Sequence, residues 1–188
     1  MASAPDKRLL TATEFLEIDF GPDIKAELDN GIIRVIRMMA GGTARHSWIQ
    51  INLGGMLWLG LKGSNCHAFG PDMAVIVNEY SVRYPDLSVY CGKDAVGFDD
   101  ARAFRDPVLV VEILSPSTAM LDQGAKLEEY RSILSIESIL LIDPKTESVR
   151  LLSRTGPQSW IDSVYNTGQD IHIPHLNIAL PLAEIFAR

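Results

Sequence analysis

The stretch Pro107-Val108-Leu109-Val110-Val111-Glu112-Ile113-Leu114-Ser115-Pro116-Ser117-Thr118 constrains this chain more than any other, because it is an apolar run with one carboxylate in its middle. A Val/Leu/Ile run opened by proline and closed by Ser-Pro-Ser-Thr predicts a central strand covered on both faces. Burying an ionised carboxylate without a partner costs several kcal/mol or more. The fold must therefore bring a cation, hydrogen-bond donors or a metal to Glu112.

With 188 residues, 47% of them hydrophobic, the chain can close one core without staples. The expected organisation is a short disordered leader over residues 1–10 and a single domain over 11–188. A net charge of −7 and a pI near 5.0 argue against non-specific coating of nucleic acid, although a local basic groove is compatible with them. Cys66 and Cys91 have no Cys-x-x-Cys spacing, and they read as reduced thiols of a cytoplasmic protein. No apolar signal region precedes Phe15, and no uncharged run approaches the ~18 residues a membrane span needs. No membrane partner is expected.

Thr11 and Glu14 have the spacing of a capping box, which predicts a brief helix through Leu16. Asp29-Asn30-Gly31 lies between two alternating runs and predicts a hairpin over Ile24–Met39. In its first arm Glu27 reads from the pattern as an exposed glutamate facing Arg34. His46 to Lys62 has helical apolar spacing despite Gly54, Gly55 and Gly60, each costing about 1 kcal/mol against Ala; such glycines imply close packing on a neighbour. His46 opens that helix, where a hydrogen-bonded structural histidine is the ordinary reading.

Strands are predicted around Cys66–Phe69, Met73–Val77 and Asp86–Tyr90, followed by a Gly- and Asp-rich loop to Asp106. Two Pro-Asp pairs, Pro71-Asp72 and Pro85-Asp86, compete for the role of rim carboxylate. Local composition does not separate them, although Asp86 belongs to the strand just before the central one and has the shorter connection to it. Asp122 to Leu134 predicts a helix with Asp122, Lys126 and Tyr130 on one face. Beyond it come strands at Ser138–Ile142, Ser148–Leu152 and Ser159–Val164, an irregular or edge segment at Ile171–Leu180, and a short helix over Pro181–Phe186. The element order argues for an α+β, mixed α/β sheet with flanking helices and an N-terminal β-hairpin.

Two carboxylates on neighbouring strands and a lysine on the next helix make a recognisable chemical set. Asp and Glu oxygens hold Mg²⁺ or Mn²⁺ through few protein ligands and leave room for water and phosphate oxygens. Such an ion lowers the pKa of a bound water and neutralises charge at phosphorus, while an ammonium steadies the transition state. Period-two alternation puts Val110, Glu112 and Leu114 on one strand face, where Asp86 and Lys126 could join Glu112.

Tyr84-Pro85-Asp86-Leu87-Ser88-Val89, Val111-Glu112-Ile113-Leu114-Ser115-Pro116-Ser117-Thr118, the trio Asp122, Lys126 and Tyr130, and Leu141-Ile142-Asp143-Pro144 together resemble the restriction endonuclease family of the Uma type, a domain of unknown function. The resemblance runs from about Thr13 to Glu184. It implies a restriction-endonuclease-like core similar to the PD-(D/E)XK nucleases, a Mg²⁺- or Mn²⁺-dependent endonuclease activity and DNA as partner. It matches Asp86 and Glu112 to the metal-binding acids, adds Glu27 as a third acid, and assigns His46, Asp122 and Tyr130 supporting places. The superfamily lysine stands two residues after the acid; here that position is Leu114, so the resemblance moves the role to Lys126. Ser135-Ile136-Glu137-Ser138-Ile139-Leu140 departs from the family's turn and aromatic pair. Different readings of the same residues are a non-catalytic nucleic-acid-binding or interaction module, in which Glu112 and Lys126 form a structural ion pair, and a hydrolase of another phosphate ester. A homodimer would suit cleavage of both strands of a duplex.

Overall fold

The computed structural model of the chain describes residues 8–21, 24–37, 43–92, 100–115 and 124–188. The central strand, β8 (Leu109–Ile113), is buried at every position. It is shorter than the apolar run that announces it, and the segment from Pro116 lies outside the described residues. On one side β8 pairs antiparallel with β6 (Leu87–Cys91), and on the other it runs parallel to β9 (Ser138–Asp143). A parallel neighbour requires a crossover, usually helical, and here the crossover carries α3 (Ala125–Ser132). With β3 (Cys66–Phe69), β10 (Ser148–Gly156) and β11 (Ser159–Tyr165), these strands form a six-stranded mixed sheet in the order β11-β10-β9-β8-β6-β3.

A second sheet has the order β2-β1-β5-β4-β7, built from β1 (Ile24–Asp29), β2 (Ile32–Arg37), β4 (Ala74–Asn78), β5 (Ser81–Arg83) and β7 (Ala103–Phe104). The β1–β2 hairpin turns at Asn30 and Gly31 with φ of 48° and 77°, the left-handed pair that a tight hairpin turn requires. The capping box at Thr11 and Glu14 opens α1 (Ala12–Leu16), as its spacing indicates. Strand β5 has no counterpart in the sequence reading, because three residues between two turns carry too little alternation to register.

Helix α2 (Ala44–Gly60) lays Ile49, Leu53 and Leu57 on one face of the six-stranded sheet, against Leu87, Val89, Leu109, Val111 and Ile113. A Cβ on Gly60 would meet Ile178 at 2.9 Å, so that glycine permits close packing; at Gly55 it would meet nothing. The C-terminal stretch, expected as irregular or edge strand, forms a hairpin of β12 (Asp170–Ile173) and β13 (Ile178–Pro181) that closes the same core with α4 (Leu182–Ile185). On the opposite face Val110, Leu141 and Leu152 pack with Leu127 and Tyr130 of α3. Among the described residues no helix is long and apolar enough to cross a membrane.

The expectation of reduced cysteines is corrected. Cys66 and Cys91 form a disulfide. The cause is register: β3 and β6 pair antiparallel with Cys66 directly opposite Cys91, and a separation of 25 residues gives no hint of that in the sequence.

Candidate functional site

Alternation along β8 sends Leu109, Val111 and Ile113 toward α2, and Val110 and Glu112 toward α3. Glu112 is only 4% exposed. Its partners come from one face of α3, where Lys126 and Tyr130 stand four residues apart. The Tyr130 hydroxyl donates to Glu112 Oε1 at 2.7 Å, and Lys126 Nζ lies 3.5 Å from the same oxygen. Lys126, itself buried, also reaches Glu27 Oε1 at 3.1 Å. Its ammonium therefore joins a carboxylate of one sheet to a carboxylate of the other.

Glu27 does lie opposite Arg34 in the hairpin register, but it is not the exposed glutamate the pattern suggested. It is 1% exposed, and Arg34 pairs with Asp29 instead. The reason is β5. This strand pairs with β1 and brings in Arg83, whose Nη1 donates to Glu27 Oε2 at 3.2 Å, while the Tyr84 N–H donates to Glu27 Oε1 at 3.2 Å. Arg83 grips Glu129 with two bonds, Nε to Oε2 at 2.6 Å and Nη2 to Oε1 at 2.7 Å, and reaches Asp29 Oδ1 at 3.1 Å. Burial alone would depress this guanidinium, but its bonds and charge interaction with Glu129, followed by Glu27 and Asp29, hold it above its ordinary value. Arg83 and Glu129 were invisible in the sequence; the only trace was an arginine in a Ser-Val-Arg-Tyr alternation.

Asp86 follows Pro85 at the entry to β6. The last β6–β8 pair is Leu87 with Val111, so one further antiparallel step sets Asp86 opposite Glu112. Asp86 Oδ2 accepts the Ile113 N–H at 2.7 Å, and Oδ1 lies 2.9 Å from His46 Nε2. His46 stands in the first turn of α2, its N–H capped by Thr43 Oγ1, and Gln50 one turn later donates to the Asp86 carbonyl at 3.1 Å. The rival Asp72 is a surface group whose side chain is 94% exposed, 3.9 Å from Lys25 Nζ. Lys25 is a further residue the sequence reading missed. Its ammonium lies 5.0 Å from the centre of the Tyr84 ring, and burial lowers its pKa against the opposing pull of Asp72, Asp86 and Glu27.

The structure thus joins Glu27, Glu112, Lys126 and Tyr130 in one network and sets Asp86 and His46 beside it, next to the Ile113 amide. Asp122 lies outside the described residues. Among the described residues the four buried charges balance, Glu27 and Glu112 against Arg83 and Lys126. Around them Asp29, Asp86 and Glu129 are partly buried, and Lys25 is the partly buried cation that faces Asp86 and Glu27.

Among the described residues no three His, Cys, Asp or Glu side chains converge as a complete metal cage. Mg²⁺ does not need one, since it is commonly held by one or two carboxylates with water and phosphate oxygens completing its shell. Asp86 and Glu112 supply hard oxygen donors on adjacent strands, and a carboxylate retains acceptor capacity beyond the bonds each makes here. The donor set suits such an ion. Glu27, with one oxygen on Tyr84 and Lys126 and the other on Arg83, is better placed to hold the lysine than to hold the ion.

Comparison with known proteins shows the family. The family model Uma2, "Putative restriction endonuclease", matches residues 12–183. An uncharacterized protein of Synechocystis sp. is 30% identical over 155 residues, covering 82% of this chain and 86% of its own. A second uncharacterized protein of the same organism is 27% identical over 185 residues, covering 98% and 94%. The crystal structure of a putative nuclease belonging to DUF820 from Anabaena variabilis superposes with a TM-score of 0.73 at 21% identity, covering 94% of this chain and 97% of the other. At that identity the likeness speaks for the fold.

Proposed function

The chain belongs to the Uma2 family, and from that premise and the geometry of its buried acidic centre we propose that it is a metal-dependent endonuclease hydrolysing phosphodiester bonds in DNA. The observation that carries this reading is a carboxylate, Glu112, in a strand buried at every position, opposite Asp86 in the antiparallel register and 3.5 Å from a lysine delivered by the following helix. A core strand gains nothing in packing from a glutamate. Its presence there fits a chemical task.

In this reading Asp86 and Glu112 hold Mg²⁺ or Mn²⁺, which when bound supplies an activated water and charge neutralisation at the scissile phosphate. The chain's own residues do the rest. The Ile113 N–H and His46 fix the Asp86 carboxylate, and Tyr130 fixes that of Glu112. Lys126, steadied by Glu27, presents an ammonium to the phosphate oxygens or the attacking water. Arg83 locks Glu27 in turn.

One feature favours a second reading: Lys126 and Arg83 already partner the buried acids, as they would in a non-catalytic module where the charges are structural. Mn²⁺ titration by calorimetry, with nicking of supercoiled plasmid alongside, separates the two. The nuclease reading expects binding in the wild type, its loss in Asp86→Asn and Glu112→Gln, its retention in Lys126→Ala, and loss of nicking in all three variants. No binding at millimolar Mn²⁺, with Glu112→Gln and Lys126→Ala both lowering the melting temperature, would leave only the structural reading.

A further inference from the structure

Helix α2 buries one side on the sheet, and among the described residues nothing covers the other. Between His46 and Lys62 it carries no charged side chain. A helix apolar on both sides is normally buried on both. Here Trp48, Ile51, Trp58 and Leu59 are 46%, 67%, 63% and 64% exposed. With Gly55 and Lys62 they fall at helical spacing on one stripe, and the Lys62 ammonium, just beyond the helix, lies 5.6 Å from the centre of the Trp58 ring.

We propose that this stripe is a two-fold interface with a second copy of the chain, the two α2 helices crossing antiparallel at Gly55. Three features single out a second copy as the occupant. The first is symmetry. An isologous contact requires that residue i meet j wherever j meets i, and the stripe is laid out that way: Ile51 and Leu59 stand four residues before and after Gly55, Trp48 and Lys62 seven before and after. Antiparallel crossing therefore sets Ile51 on the partner's Leu59, Trp48 under the partner's Lys62 as a cation–π pair, and Gly55 on itself. The second is the glycine. Among the described residues a Cβ at Gly55 would meet nothing within 4 Å, so the glycine leaves room for another backbone to come close. The third is area. At ~150–250 Å² for a tryptophan and less for an aliphatic chain, these four side chains leave roughly 500 Å² open per copy, and two copies bury on the order of 1,000 Å², the lower bound for a biological interface, before the residues around the stripe are added. The stripe also carries no acidic side chain on a molecule of net charge −7, and its one charge, Lys62, stands at its end, so acidic repulsion is kept out of the contact.

The same helix carries His46 and Gln50, both bonded to Asp86, so the interface stands directly behind one wall of the candidate site. Sedimentation velocity over a micromolar dilution series tests the proposal, using the wild type, Ile51→Glu, Gly55→Arg and, as a control, Val35→Lys on the exposed edge strand β2. The wild type and Val35→Lys should be dimers, and the two α2 variants should dissociate at least about tenfold more readily. Gly55→Cys should cross-link to its own counterpart under mild oxidation, since Cys66 and Cys91 are already bridged. A monomeric wild type, a dimer lost in Val35→Lys but indifferent to Ile51→Glu and Gly55→Arg, or a Gly55→Cys variant that does not cross-link would each overturn it.

Discussion

A guanidinium that is 2% exposed must have its charge answered by its neighbours, and Arg83 is answered by Glu129, Glu27 and Asp29. Arg83→Met leaves those carboxylates facing one another with Lys126 and the more distant Lys25 near Glu27, and urea denaturation at neutral pH should show a loss of about 3–5 kcal/mol. A loss below about 1 kcal/mol would mean that these carboxylates do not depend on the guanidinium. Lys25 gives a second test at this scale. Burial lowers its pKa while Asp72, Asp86 and Glu27 resist, so removing one of these charges in Asp72→Asn should lower the Lys25 pKa further in an NMR titration. The sign for stability follows. A lysine whose folded pKa is depressed binds fewer protons folded than unfolded, so its contribution improves as pH rises through the folded value toward 10.5. Glu112 and Lys126 were legible in the sequence because a charge inside an apolar strand and a lysine at helical spacing each break a pattern. Arg83 and Lys25 break none, since their significance depends on which strand pairs with which.

Helix α3 docks on β8 through Leu127 and through the Tyr130 and Lys126 contacts to Glu112. Tyr130→Phe removes a buried hydrogen bond to a carboxylate, which is worth about 1.5–3 kcal/mol. A double-mutant cycle with Glu112→Leu should show that the two losses are not additive, by at least about 0.5 kcal/mol; additive losses would mean that the hydroxyl contributes nothing through Glu112. At the hairpin, Gly31→Ala would hold alanine at φ 77° with its Cβ 2.6 Å from that of Leu9, and a destabilisation of about 2 kcal/mol or more is expected from thermal unfolding. These elements were readable for local reasons: Asn30-Gly31 dictates its turn, and Thr11 with Glu14 dictates its cap. Strand β5 was not, because its three residues depend on β1, a partner remote in sequence, and the β12–β13 hairpin was not, because Pro174-His175-Leu176-Asn177 between its arms is not a two-residue turn of the Asn-Gly kind.

At the scale of the molecule, the candidate site lies where two sheets meet, Glu27 and Arg83 coming from one and Glu112 from the other, with Asp86 at the entry to β6. The Cys66–Cys91 bridge bears on that junction. It closes a loop of 25 residues that leaves the six-stranded sheet at β3, supplies β4 and β5 to the five-stranded sheet, and returns through Arg83 and Asp86 to β6. The cross-link thus restricts in the unfolded chain the segment that carries two of the site's charged groups, and for a loop of this length the chain-entropy account gives about 3–4 kcal/mol. Protein unfolded without reductant should present no reactive thiol, since its two cysteines are bridged. After reduction, or in Cys66→Ser/Cys91→Ser, the denaturation midpoint should fall by an amount matching that energy, and the reduced wild type and the double variant should unfold together. Two thiols titrating in the unreduced, unfolded protein would show the cysteines to be merely adjacent, and stability should then be indifferent to reductant.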